Sequence, residues 1–162
     1  MELNGNKMCS IRLAKYAFTL VETLIVVSIL GILAAIVVPQ FQAHSHLAKE
    51  AAAKDNLRIL RNAIDLYANR NNEVAPGYSN NNPDGFPISL HFYNQLVFQG
   101  RYLSEMPENP LNGKTSIRMI TNSQTFPEEA TDQSGWLYKP ATKTIRVNSP
   151  GTDSRGARYY DY

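Results

Sequence analysis

Glu22 is the one charged side chain between Phe18 and Val38, and no further charge follows it until Lys49. On insertion scales an acid at the centre of a membrane helix costs about 2.5–3.5 kcal/mol unless it is paired or reaches water. Such an acid implies a partner, or a place in the first helical turn, where the helix dipole favours negative charge. His44 and His46 raise a metal reading, but two residues apart on a helix they point in different directions. The sequence offers neither an evident acid or Cys partner, so they read as solvated polar residues. Cys9 is the only cysteine, which excludes an intrachain disulfide. No apolar stretch precedes it, which argues against a lipoprotein site. Trp136 could stack on a ligand but reads first as a core or interface aromatic.

Enzyme chemistry finds little footing. The chain has no G-x-S-x-G, no phosphate-binding loop and no metal-ligand cluster. His44, His46 and His91 have no nucleophile or acid at motif spacing. The chain has 162 residues, with 16 Lys and Arg against 14 Asp and Glu. Lys7, Arg12 and Lys15, with Glu2, precede Phe18, so thirteen of each sign remain beyond it. A neutral remainder gives no electrostatic case for nucleic acid.

The elements that hold these residues follow from pattern. Twenty-one residues from Phe18 to Val38 would span roughly 31 Å as a helix, about the hydrocarbon thickness of a bilayer. The basic residues before it place the N-terminus in the cytoplasm and the rest of the chain outside. A cleaved signal peptide fits less well: its core would be shorter and end in a small-residue site, whereas Pro39-Gln40-Phe41 follows here. Beyond Pro39, Leu57, Leu60, Ile64 and Tyr67 recur at spacings of three and four, with Ile59, Ala63 and Leu66 widening the stripe. Lys54, Arg58, Arg61, Asn62 and Asp65 take the other side. The helix should end near Asn69. From Phe18 to Asn69 it would reach roughly 78 Å.

Residues 72–87 are loop by composition. Residues 89–100 read as a short helix, with Ser89 near its N-cap and Leu90, Tyr93, Leu96 and Val97 facing inward. Strand signals lie at 115–120, 135–139 and 144–148, the last two flanking the turn Pro-Ala-Thr-Lys. Trp136 and Tyr138 share one face, and Ile145 and Val147 share another. A three-stranded antiparallel sheet laid on the Ala51–Tyr67 stretch would bury both sets. The fold class is α+β: a long N-terminal helix whose first half is transmembrane, with a small antiparallel sheet head on its second half.

The stretch "AFTLVETLIVVSILGILAAIVVPQF" resembles the prepilin-type N-terminus of type IV pilins and type II secretion pseudopilins. A short basic leader ends in the small residue Ala17, Phe18 follows, and Glu22 stands fifth from there. The residue before the cut is most often Gly in the family and is Ala17 here. The resemblance implies a leader at 1–17, a transmembrane and assembly segment at 18–39 and an extracytoplasmic head at 40–162. It implies cleavage between Ala17 and Phe18 by a prepilin peptidase, N-methylation of Phe18, and pairing of Glu22 with the Phe18 amine of a neighbouring subunit. Gly31 and Pro39 fall where the family often breaks or softens the helix. Ser28, Gly31 and Ala35 are small enough for close helix approach.

The implied function is a structural subunit of a type II secretion pseudopilus, anchored once in the cytoplasmic membrane with its head periplasmic. Its partners would be copies of itself, related minor pseudopilins, the peptidase and the inner-membrane assembly platform. The alternatives are a type IV pilin for adhesion, motility or DNA uptake, and a tethered binding module that does not polymerise. Major pseudopilins often hold calcium in a late loop. Asp153 and Asp161, with Asp132 upstream, are the candidates here, a thin set for an ion that prefers six to eight oxygens. No other cofactor is expected.

Overall fold

A computed structural model describes residues 19–162. The 51-residue helix α1 covers Leu20–Arg70. Then come α2 (Ser89–Tyr93), which continues into a π-helical turn (Asn94–Phe98), and the strands β1 (Ile117–Met119), β2 (Trp136–Lys139) and β3 (Thr144–Val147). The chain forms two compact units, one ending at Phe41 and one spanning Gln42–Tyr162.

In the first unit every described side chain from Leu20 to Val38 is exposed. The few polar groups are satisfied within the helix. Thr23 Oγ1 donates to the Leu20 carbonyl and Ser28 Oγ to the Leu24 carbonyl, both at 2.7 Å. Hydroxyls bonded back to their own helix can enter hydrocarbon without leaving an unpaired donor. The helix continues without interruption through Gly31 and Pro39, although Pro39 has no N–H for the Ala35 carbonyl. A Cβ built on Gly31 would meet nothing within 4 Å, so no packing among the described residues requires that glycine.

The second unit is built on the rest of α1. Ala53, Leu57, Leu60, Ile64, Tyr67 and Ala68 are buried, the one-sided stripe expected of a helix under a sheet. Ile59 and Leu66, expected to widen that stripe, are instead 43% and 51% exposed. They lie one position off the buried rows, on the flanks that the sheet does not cover. Opposite the stripe stand Trp136 and Tyr138 of β2, Ile145 and Val147 of β3, and Phe92 and Leu96.

The sheet is mixed, which corrects the expected all-antiparallel arrangement. β2 and β3 pair antiparallel, but β1 runs parallel to β2, with Ile117 opposite Trp136. A parallel neighbour needs a connection of a dozen or more residues, and residues 120–135 supply it. Trp136 faces Val147 and Tyr138 faces Ile145, so these four side chains share one face rather than two. Leu137 points the other way and packs with Ile120 and Tyr160. The central strand β2 is therefore apolar on both faces.

Two details of the short helix also differ from expectation. Ile88, not Ser89, occupies the N-cap, and no side chain caps it. Leu90 is 60% exposed, while Phe92 is fully buried. A π-helical turn at 94–98 widens the spacing, which keeps Phe92 and Leu96 on the buried side.

Candidate functional site

The N-terminal site is built around Glu22. Thr19 Oγ1 accepts the main-chain N–H of Glu22 at 3.2 Å, which makes Thr19 the N-cap and puts Glu22 in the first turn. The carboxylate therefore stands at the positive end of the helix dipole. Among the described residues it accepts no hydrogen bond. Its main chain is used for capping, and its side chain remains available to a donor from outside. Ala17 and Phe18, the residues of the expected cut, lie outside the described residues.

A second polar constellation ties residues 149–162 to α1. Glu50, buried to 5% exposure, is its centre. His46 Nδ1 lies 3.1 Å from Glu50 Oε1, the Tyr159 hydroxyl 3.3 Å from the same oxygen, and the Ser154 hydroxyl 3.3 Å from Oε2. His46 thus has the acid partner that the sequence did not reveal; Glu50 stands at i+4, on the same helical face. His44 remains exposed. Burial, and then the Glu50 charge, push the Tyr159 phenol up to about 12. One turn along, Lys54 Nζ donates to Asp153 Oδ2 at 3.2 Å. Arg61 donates to the Tyr162 carbonyl oxygen and, at 3.5 Å, to that of Ile145.

Asp153 is an organiser of its own loop. Its Oδ1 accepts the amides of Arg155 and Ala157, each at 2.9 Å. Gly151 and Gly156 take positive φ, 99° and 83°, which lets the chain reverse around it. Burial would push the Asp153 carboxyl up, but the two amides and the Lys54 ammonium outweigh it and hold it well below the usual carboxylate range. A carboxyl depressed by folding contributes stability that is present above its unfolded value, about 3.9, and lost as pH falls through the folded value. The melting temperature of the detergent-solubilised chain should therefore drop below about pH 4. Asp153→Asn should show a flatter acid limb in circular dichroism melts taken across that range.

The calcium candidates do not fit the ion. Asp161 forms a two-pronged pair with Arg158, at 2.7 and 3.1 Å. Asp132 accepts Asn112 Nδ2 at 2.8 Å and lies 3.5 Å from Lys114 Nζ. Asp153 is held by Lys54. Each acid already faces a cation, and no group of three or more His, Cys, Asp or Glu converges among the described residues. Trp136 is buried with its indole N–H on the Pro107 carbonyl at 2.9 Å, a core residue and not an exposed stacking platform.

Buried amides hold the loops together and escaped the sequence reading. Asn109 donates to the Gly135 carbonyl at 2.9 Å and accepts the Leu111 amide at 3.1 Å. Asn148 accepts the Thr131 amide at 2.8 Å and donates to the Ser134 hydroxyl at 2.9 Å. Their only sequence signal was position, in Asn-Pro and in the residue just past a strand.

Helix α1 is, by length and composition, able to cross a membrane. Residues 12–38 match the family described as the prokaryotic N-terminal methylation motif. That motif thus stands on a chain with the pilin-like class of α+β fold, a long helix and a small mixed sheet. Its relatives fall in two groups within that class. It is 48% identical over 50 residues to a type II secretion system core protein G of Pseudomonas aeruginosa, covering 31% of this chain and 35% of the relative. It is 31% identical over 98 residues to the core protein G of Aeromonas hydrophila, covering 57% and 65%. A fimbrial protein of Pseudomonas aeruginosa is 29% identical over 141 residues, covering 85% and 82%. The chain thus spans between about a third and two thirds of the length of the two secretion relatives. No solved structure matches it.

Proposed function

We propose that this protein is a structural subunit of a type II secretion pseudopilus. It is made as a prepilin, cut between Ala17 and Phe18, methylated on Phe18, and polymerised through its N-terminal helix. The observation that carries the reading is the Glu22 carboxylate, set in the first turn of an exposed apolar helix with no hydrogen-bond partner among the described residues. A buried carboxylate needs a cationic partner, and the amine released on Phe18 of a neighbouring subunit is the natural one. In this reading residues 1–17 are the leader and 18–39 the membrane and assembly segment. Residues 40–162 form a head on the periplasmic side. Gly31 and Pro39 give the helix a section that can loosen in the filament, and Gly31 leaves room for a neighbouring helix. The working partners are copies of the chain, minor pseudopilins, the prepilin peptidase and the inner-membrane platform.

The similarity to the fimbrial protein, which runs over most of both chains, supports a second reading as a type IV pilin. Both readings require the same processing. The N-terminal peptide of membrane-extracted protein should begin at Phe18 and carry one methyl group by mass spectrometry. A retained Met1 in cells with active peptidase would refute both. Deleting the gene then separates them: retention of exoproteins in the periplasm marks the pseudopilus, and loss of surface fibres with normal secretion marks the pilus.

A further inference from the structure

We propose that the late loop of this head, residues 150–158, is closed by the Lys54 ammonium of α1, which takes the place at Asp153 that a divalent cation would have to occupy. The loop therefore stays closed without calcium. Asp153, with its side chain 1% exposed, has lone pairs for about four donors. Two amides of its own loop take Oδ1, and Lys54 Nζ takes Oδ2 at 3.2 Å, with Arg155 Nη2 at 3.8 Å from the same oxygen. The charged neighbours of Oδ2 are both cations, Lys54 and Arg155. A cation entering beside Oδ2 would meet both charges and would have to displace Lys54.

The remaining loop contacts complete the closure. The Asp153 amide donates to the Ala157 carbonyl at 2.8 Å, the Gly156 amide to the Asp153 carbonyl at 2.9 Å, and the Tyr159 amide to the Gly151 carbonyl at 3.1 Å. These bonds fold the loop on itself. Lys54, 99 residues away in sequence, joins it to the helix. Lys54 also lies 4.1 Å from the centre of the Tyr162 ring, so the aromatic face holds the ammonium over the carboxylate. Lys54 is thus a positioning residue for the loop.

Trypsin reads this closure directly. Of the two arginines in the loop, Arg155 and Arg158, Arg155 lies in its middle with its side chain 80% exposed, but the bond after it is cleaved only when the loop opens. Full-length protein in detergent should be cut after Arg155 at the same rate in millimolar calcium chloride and in EDTA. Lys54→Met should be cut on the order of tenfold faster, as expected for losing a charged hydrogen bond, with calcium giving no protection. Lys54→Arg, which keeps the cation and the fold, should remain close to the parent rate. Faster cutting of the parent in EDTA would overturn the proposal, as would Lys54→Met cut no faster than the parent. Trp136 fluorescence monitors the core, and a Lys54→Met chain that fails to fold leaves the parent and Lys54→Arg comparisons in calcium and EDTA to decide.

Discussion

Glu22→Ala should leave the protein in the membrane and reduce its assembly into filaments to below about a tenth of the parent level. The substitution removes a charge from an apolar helix, so entry into the bilayer becomes no harder. The helix start survives, because Thr19 caps the main-chain N–H of residue 22 and not its side chain. What disappears is the carboxylate that, in the proposed function, receives the cationic donor of another subunit. A charge pair in a low-dielectric site loses on the order of 3–5 kcal/mol when one partner is deleted, which corresponds to a hundredfold or more in an association constant. Two fractions would be weighed by immunoblot, sheared filaments and membranes. Parent-like filament yield with Ala at position 22 would remove Glu22 from the assembly mechanism.

Trp136→Ala should lower the stability of the head by about 3–5 kcal/mol and its melting temperature by on the order of 10–20 °C. Trp136 is fully buried in the central strand, on the face that meets Leu57, Leu60 and Ile64 of α1. Truncation leaves a cavity that the sheet and the helix cannot both collapse into. It also orphans the Pro107 carbonyl, which accepts the indole N–H. Trp136→Phe separates the two effects, since it keeps most of the volume and loses only the hydrogen bond. The Phe variant should fall between the parent and the Ala variant in thermal melts. Equal melts for Ala and Phe would show that the cavity contributes little.

The parts legible in the sequence were those written as periodicity. Leu57, Leu60, Ile64 and Tyr67 repeat with the helix and are all buried. The three strands were visible from their apolar residues and the Pro-Ala-Thr-Lys turn. The antiparallel hairpin of β2 and β3 was legible from its turn, but the direction of β1 was not, because alternation is identical for parallel and antiparallel neighbours. That choice is made by the crossover at 120–135, anchored by the Asn109, Asn112 and Asn148 amides. Ile59 and Leu66 misled because composition does not say how wide a strip the sheet covers. The contacts of Lys54 and Glu50 lie 99 to 109 residues apart in sequence, a distance that no local motif bridges. Glu22 was legible, since its oddity is local: one acid in an apolar run.

The ties of α1 to the late loop also set a schedule. Glu50 with Tyr159, Lys54 with Asp153 and Arg61 with Tyr162 each join the first structured part of the head to its last residues. A ribosome delivers those partners about a hundred residues apart, at roughly 5–20 residues per second. During that interval the Leu57–Ile64 face has no finished sheet to cover it. A chain that stops just short of residue 153 has all three strands but never acquires the Lys54 clamp. The contacts that tie the finished head to α1 therefore cannot form until residues 153–162 have been made.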